Sequence, residues 1–153
     1  MKKDLMELNE KLAVRLDTLV EKGNELSEDG DNSRAIPIYM EAWGLLPEPK
    51  IEWELYSSWI AGSLFNSYFD SASFDEAKQW ALKTYDARHK DEVTTEGMNE
   101  VGKACYELDQ LEEAYSWFKQ SFDIDGRRAF SEEDPKYLKF YLDRTAERKK
   151  RGT

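Results

Sequence analysis

Residues 35–47 read Ala35-Ile36-Pro37-Ile38-Tyr39-Met40-Glu41-Ala42-Trp43-Gly44-Leu45-Leu46-Pro47. Small residues at 35 and 42, an aromatic at 39 and a proline at 47 describe a short helix with a narrow buried stripe, against which a second helix can lie close. Twelve residues upstream of Ala35 stands Gly23, another small residue. It falls on a stripe of Leu5, Leu8, Leu12, Leu16, Leu19, Val20 and Leu26, whose spacing of three and four predicts a helix over about 3–28. Glu28-Asp29-Gly30-Asp31-Asn32 breaks the pattern, and Asn32 or Ser33 can cap the next helix. Pro37 falls near its first turn, where a missing N–H costs little, and Pro47-Glu48-Pro49 ends it near Leu46.

The same periodicity continues. Further helices are predicted over about 51–70, 74–89, 93–108 and 111–124, with turns at Ser71-Ala72-Ser73 and Asp125-Gly126. Ser131 before Glu132-Glu133-Asp134 reads as the N-cap of a seventh helix. Pro135 lies early in that helix, which ends near Arg148 among Lys and Arg that suit a helix C-terminus. Strand-like alternation is absent, and Gly (8) and Pro (4) are scarce. The chain is all-α.

Ala35 is not alone in its setting. Ala114 is followed by Phe118 at the aromatic position and preceded by Gly102 at twelve residues, with Val101 and Cys105 beside it. Ala77 has Leu64 and Tyr68 at the corresponding upstream places, and Phe74 and Leu111 each lie three residues before their alanine. The three sets resemble the tetratricopeptide repeat (TPR), with its pattern W-x2-L-G-x2-Y then A-x3-F-x2-A-x4-P. The resemblance implies one domain over 1–153: a right-handed array of antiparallel helix hairpins, with repeats at about 16–49, 58–91 and 95–128. Residues 50–57 are then an insertion, and a capping helix at about 132–150 carries Tyr137, Leu138, Phe140, Tyr141 and Leu142 over the third repeat while Arg144 to Arg151 face water. Hairpins of this kind bury their apolar faces only by stacking. The middle repeat departs from the pattern, with Phe65 at the small position, Ala81 at the aromatic one and Thr84 for the second Ala. Gly126 replaces the last Pro of the third.

Composition narrows the function. The chain has 153 residues, 32 Asp and Glu against 22 Lys and Arg, and a net charge of −10. Such a balance repels nucleic-acid phosphate and anionic membranes, although Lys149, Lys150 and Arg151 form a basic tip. One Cys excludes an internal disulfide, and one His excludes most histidine-dependent catalysis and most zinc sites. No apolar core follows Met1-Lys2-Lys3, and no run of eighteen apolar residues exists, so a cytoplasmic protein is expected. Cys105 is expected as a buried structural thiol and His89 as a helix-end residue. The loop at Asp29–Ser33 lacks the turn Gly and bidentate Glu of a calcium site, having Arg34 and Met40 there. No catalytic set, metal site or cofactor motif is found.

TPR hairpins present the first helix of each repeat to a concave groove. Carried over position by position, the resemblance places Asp17, Glu21, Asn24 and Glu28 in that groove from the first repeat, with Val20 and Ser27. It places Trp59, Asn66, Phe69 and Asp70 there from the second, with Gly62 and Ser63, and Glu96, Asn99, Glu100 and Tyr106 from the third, with Lys103. Carboxylates interleaved with aromatics suit a basic polypeptide. They can equally be a solvated face, with the aromatics packed under the last helix. The TPR group that grips acidic chaperone tails holds Lys, Arg and Asn at the places taken here by Val20, Asn24, Ser63, Glu96 and Glu100; only Asn24 matches, which argues against that role. Leu45-Leu46-Pro47-Glu48-Pro49-Lys50 with Trp53 and Trp59 resembles small bacterial single-domain TPR proteins of toxin–immunity loci. The expected function is therefore non-enzymatic protein binding, in its sharpest form neutralisation of a basic toxin domain. An assembly adaptor or secretion chaperone with several weak partners is the alternative.

Overall fold

The structure, a computed structural model, describes residues 4–88 and 95–152. Every regular element among them is helical: α1 (Leu5–Leu8), α2 (Glu10–Glu28), α3 (Asn32–Leu45), α4 (Glu54–Asp70), α5 (Phe74–Arg88), α6 (Thr95–Glu107), α7 (Leu111–Asp125) and α8 (Pro135–Lys150), with 3-10 turns at Lys50–Glu52 and Gly126–Phe130. The chain divides into two compact units, residues 1–92 and 93–153. The first holds the hairpins α2–α3 and α4–α5. The second holds α6–α7, followed by α8.

The three hairpins turn in the same way. In each, one residue takes a left-handed conformation: Gly30 (φ 81°), Ala72 (φ 59°) and Asp109 (φ 61°). The following N–H then reaches back to an orphan helix carbonyl, Asp31 to Leu26 at 2.8 Å, Ser73 to Tyr68 at 2.9 Å and Gln110 to Cys105 at 2.9 Å. This is the Schellman arrangement, which satisfies carbonyls that a helix end would otherwise leave unpaired.

Inside the first and third hairpins a small residue meets a large one. A Cβ placed on Gly23 would lie 2.5 Å from the Tyr39 ring, and one on Gly102 would lie 2.6 Å from the Phe118 ring. The middle hairpin has the residue sizes exchanged at the two positions. Phe65 is buried at the small position, and Ala81 is buried at the aromatic one.

Several boundaries differ from the expected ones. The first helix is cut at Asn9, whose side chain caps α2 by accepting from Leu12 N–H at 3.2 Å. Asp31, rather than Asn32 or Ser33, caps α3. Part of the insertion is a 3-10 turn, tied down where Trp53 Nε1 donates to the Pro47 carbonyl at 2.9 Å and Lys50 Nζ to the Leu46 carbonyl at 2.7 Å. α8 begins at Pro135 with Asp134, rather than Ser131, as its cap: residues 131–134 stay outside the helix, and the Asp134 carboxylate accepts from Lys136 N–H at 3.0 Å. His89 and the expected helix start at Val93 lie outside the described residues.

In the second unit, Tyr137 and Tyr141 are buried as expected of a capping helix. Leu138 and Leu142 instead line a separate recess beside Phe130. Two arginines expected to face water are held in place. Arg144 and Arg148 both bond Glu112, at 2.8 and 2.6 Å, and Arg148 lies 4.2 Å over the Tyr115 ring. Stacked guanidinium groups shed water readily, which makes this clasp compatible with partial burial.

Candidate protein-binding face

In the first unit α2 and α4 touch, and the residues carried over from the first two repeats lie on these two helices. Asp17 is half-buried and accepts from the Tyr56 hydroxyl at 2.9 Å, so one predicted ligand residue is spent on joining α2 to α4. Glu21, Glu28, Asn66 and Asp70 are exposed. Trp59 is half-buried with its ring 6.2 Å from Tyr56, and Phe69 sits between Phe65 and Phe74 at 5.4 and 5.2 Å. Trp59 therefore packs along its own helix, and Phe69 joins α4 to the start of α5.

Three of the predicted residues converge. Asn24, Glu28 and Asn66 line a recess of about 120 Å³ together with Ser27, Tyr39 and Ser63. The Tyr39 hydroxyl donates to Asn24 Oδ1 at 2.6 Å. Burial raises the Tyr39 pKa, and the nearby Glu28 charge adds to this, while hydrogen bonds from Ser63 and Ser27 oppose it. Tyr56 is pushed up to about 12 by burial first, then by its bond to Asp17. Both phenols are protonated donors at neutral pH. In the sequence Tyr39 is legible only as the packing aromatic of its repeat. Its hydroxyl is the available signal, since the equivalent Phe118 has none.

The third repeat's predicted residues have a different fate. Asn99 and Glu100 are only 3% and 7% exposed. Asn99 Nδ2 donates to the Ala129 carbonyl at 2.8 Å, and Lys103 pairs with Glu133 at 2.9 Å. Tyr106 is packed edge-on against Tyr137 and Phe140, with Lys136 5.6 Å over its ring. Glu107 accepts from both Lys136 and Tyr137. Residues 126–140 thus lie along the face that the carry-over offered to a partner. Of the four predicted residues here, only Glu96 is exposed. The sequence signal was weak, because the 3-10 turn that redirects the chain has no periodicity to read.

Charge follows the same division. Residues 1–92 carry 19 acidic against 11 basic side chains, a net of −8, which leaves −2 for the remainder. Among the described residues no cluster of His, Cys, Asp or Glu could hold a metal ion. No helix there is long and apolar enough to cross a membrane. Cys105 is buried, and its thiol donates to Glu113 at 3.3 Å.

Neither family models nor curated proteins match the chain. A solved structure does: the C-terminal TPR-containing domain of the Plasmodium falciparum protein described as FK506-binding. It superposes with a TM-score of 0.71 over 92% of this chain and 95% of that one, at 16% identity. The fold is that of a TPR domain. At that identity the likeness reaches no further than the fold. The TPR reading of Gly23, Ala35 and Tyr39, and of Gly102, Ala114 and Phe118, accords with it.

Proposed function

We propose that this TPR domain is a protein-binding module whose α2–α4 face takes a basic polypeptide segment. One observation carries the reading. The twelve groove positions on α2 and α4 include Asp17, Glu21, Glu28 and Asp70 and no Lys or Arg, in the unit that holds −8 of the charge. Like charges gathered on one face cost stability through mutual repulsion. An incoming cationic segment offsets that repulsion and gains on-rate from it. The third hairpin's face is already filled by residues 126–140, so the partner engages the first unit.

In its sharper form the partner is a basic toxin domain, and the chain is its inhibitor. An inhibitor needs only a surface, and the acidic face would block a site built to hold phosphate. Affinity capture from the source organism at low and moderate salt tests this. The expected result is one stoichiometric basic partner, lost with added salt and weakened at least about tenfold by Glu21→Lys with Glu28→Lys. Several weak partners would favour the adaptor. Capture that ignores both salt and the charge reversals would remove the α2–α4 face from the interface.

A further inference from the structure

The recess in the first unit has a narrower chemistry than the acidic face around it. Its lining is Asn24, Ser27 and Glu28 from α2, Tyr39 from α3, and Ser63 and Asn66 from α4. Each of these side chains presents oxygen, and none carries positive charge. A carboxylate or phosphate would meet Glu28 with no counter-charge. An apolar side chain would strip water from hydroxyls and amides without replacing their hydrogen bonds.

Within the lining, some groups are committed. Asn24 Oδ1 accepts from Tyr39, and Ser27 bonds Asn32 Oδ1 at 3.2 Å. The Ser63 hydroxyl also bonds the Tyr39 phenol, which leaves its oxygen lone pairs, the Glu28 carboxylate and the Asn66 amide oxygen as acceptors in the lining. A guanidinium is a flat fork that wants a carboxylate edge in its own plane. Single oxygens around a small recess instead suit the three diverging N–H groups of an ammonium.

We propose that this recess is the anchor site for a lysine side chain of the partner, bound through its ε-ammonium. This rests on the reading of the α2–α4 face as a binder of basic segments, and it adds a side-chain preference that the charge of the face does not supply. The surrounding carboxylates attract lysine and arginine alike. The recess separates them.

The test uses the full chain and pentapeptides Arg-Gly-Xaa-Gly-Arg, capped at both ends, with Xaa as lysine, arginine, acetyl-lysine or norleucine. Binding is followed at low salt by NMR titration, including the side-chain amides. The lysine peptide should bind at least about fivefold more tightly than the other three and should shift the Asn24 and Asn66 amides. Ser63→Val should erase that preference, bringing the lysine peptide's affinity to that of the arginine peptide. Asn66→Ala, at an exposed position, should do the same without risk to folding. Equal affinity for lysine and arginine, or a lysine preference that survives both variants, overturns the anchor and leaves the acidic-face reading standing. No salt-sensitive binding of the arginine peptide to α2 and α4 overturns both.

Discussion

Gly23 and Gly102 are the residues on which the outer hairpins depend. With a ring 2.5 Å from the position of any added Cβ, Gly23→Ala must push Tyr39 off its place. The expected cost is about 1–3 kcal/mol from overpacking, measured by urea unfolding. No loss would mean that the ring moves freely. The middle hairpin gives a sharper test. Phe65→Ala should cost about 3–5 kcal/mol through the cavity it leaves. The double change Phe65→Gly with Ala81→Phe, which restores the arrangement of the other two hairpins, should be more stable than either single change. Tyrosines add a pH dependence. Tyr39, Tyr56 and Tyr137 all have raised pKa values, with burial the first cause of each. A raised value means the folded state holds the proton more tightly. This stabilisation is complete below the unfolded value of about 10 and fades as pH climbs through about 12 for Tyr56. The urea midpoint should fall between pH 9.5 and 11.5 by more than that of Tyr56→Phe, to a degree set by about one proton.

Elements are punctuated by caps and turns whose contributions can be isolated. Ala72 holds a left-handed conformation that disfavours any side chain with a Cβ. Ala72→Gly should therefore stabilise the α4–α5 hairpin by about 0.5–1 kcal/mol, whereas the same change at an ordinary helix position destabilises by a similar amount. Differential scanning calorimetry would show the sign. At α8 the cap is Asp134, whose carboxylate accepts from Lys136 N–H at 3.0 Å. Asp134→Ala should cost about 1 kcal/mol, read as faster amide exchange in the first turn of α8. Unchanged exchange there would place the stability of α8 wholly in its packing, through Tyr137 and Tyr141.

For the molecule as a whole, charge and packing assign different roles to chemically similar residues. Glu21 and Glu100 look alike in sequence, both acidic and both at groove positions of a first helix. In the structure Glu21 is exposed and Glu100 is buried. Glu21→Lys should therefore leave the melting temperature within about 2 °C while weakening a basic partner, since surface changes of this kind seldom exceed about 0.5 kcal/mol. Glu100→Lys should unfold the second unit before it reports on binding, because a buried charge of the wrong sign costs several kcal/mol. Thermal melts of both variants, run beside the binding assay, separate the two outcomes.

Sequence by itself determined the helical class, the three hairpins and the small-to-aromatic pairs of the first and third, because helix period and close packing are local demands written in residue size. The TPR resemblance, carried over position by position, is what set Asn24, Glu28 and Asn66 in one group, since a helix by itself aligns only Asn24 with Glu28. Only the tertiary structure decided that Tyr39 brings a hydroxyl to that group. It alone showed that Asp17 is taken by Tyr56, and that residues 126–140 fill the third hairpin's face in place of a partner. Those outcomes depend on where a non-periodic segment lands and on hydrogen bonds between residues 15 to 39 positions apart, for which spacing along the chain carries no signal.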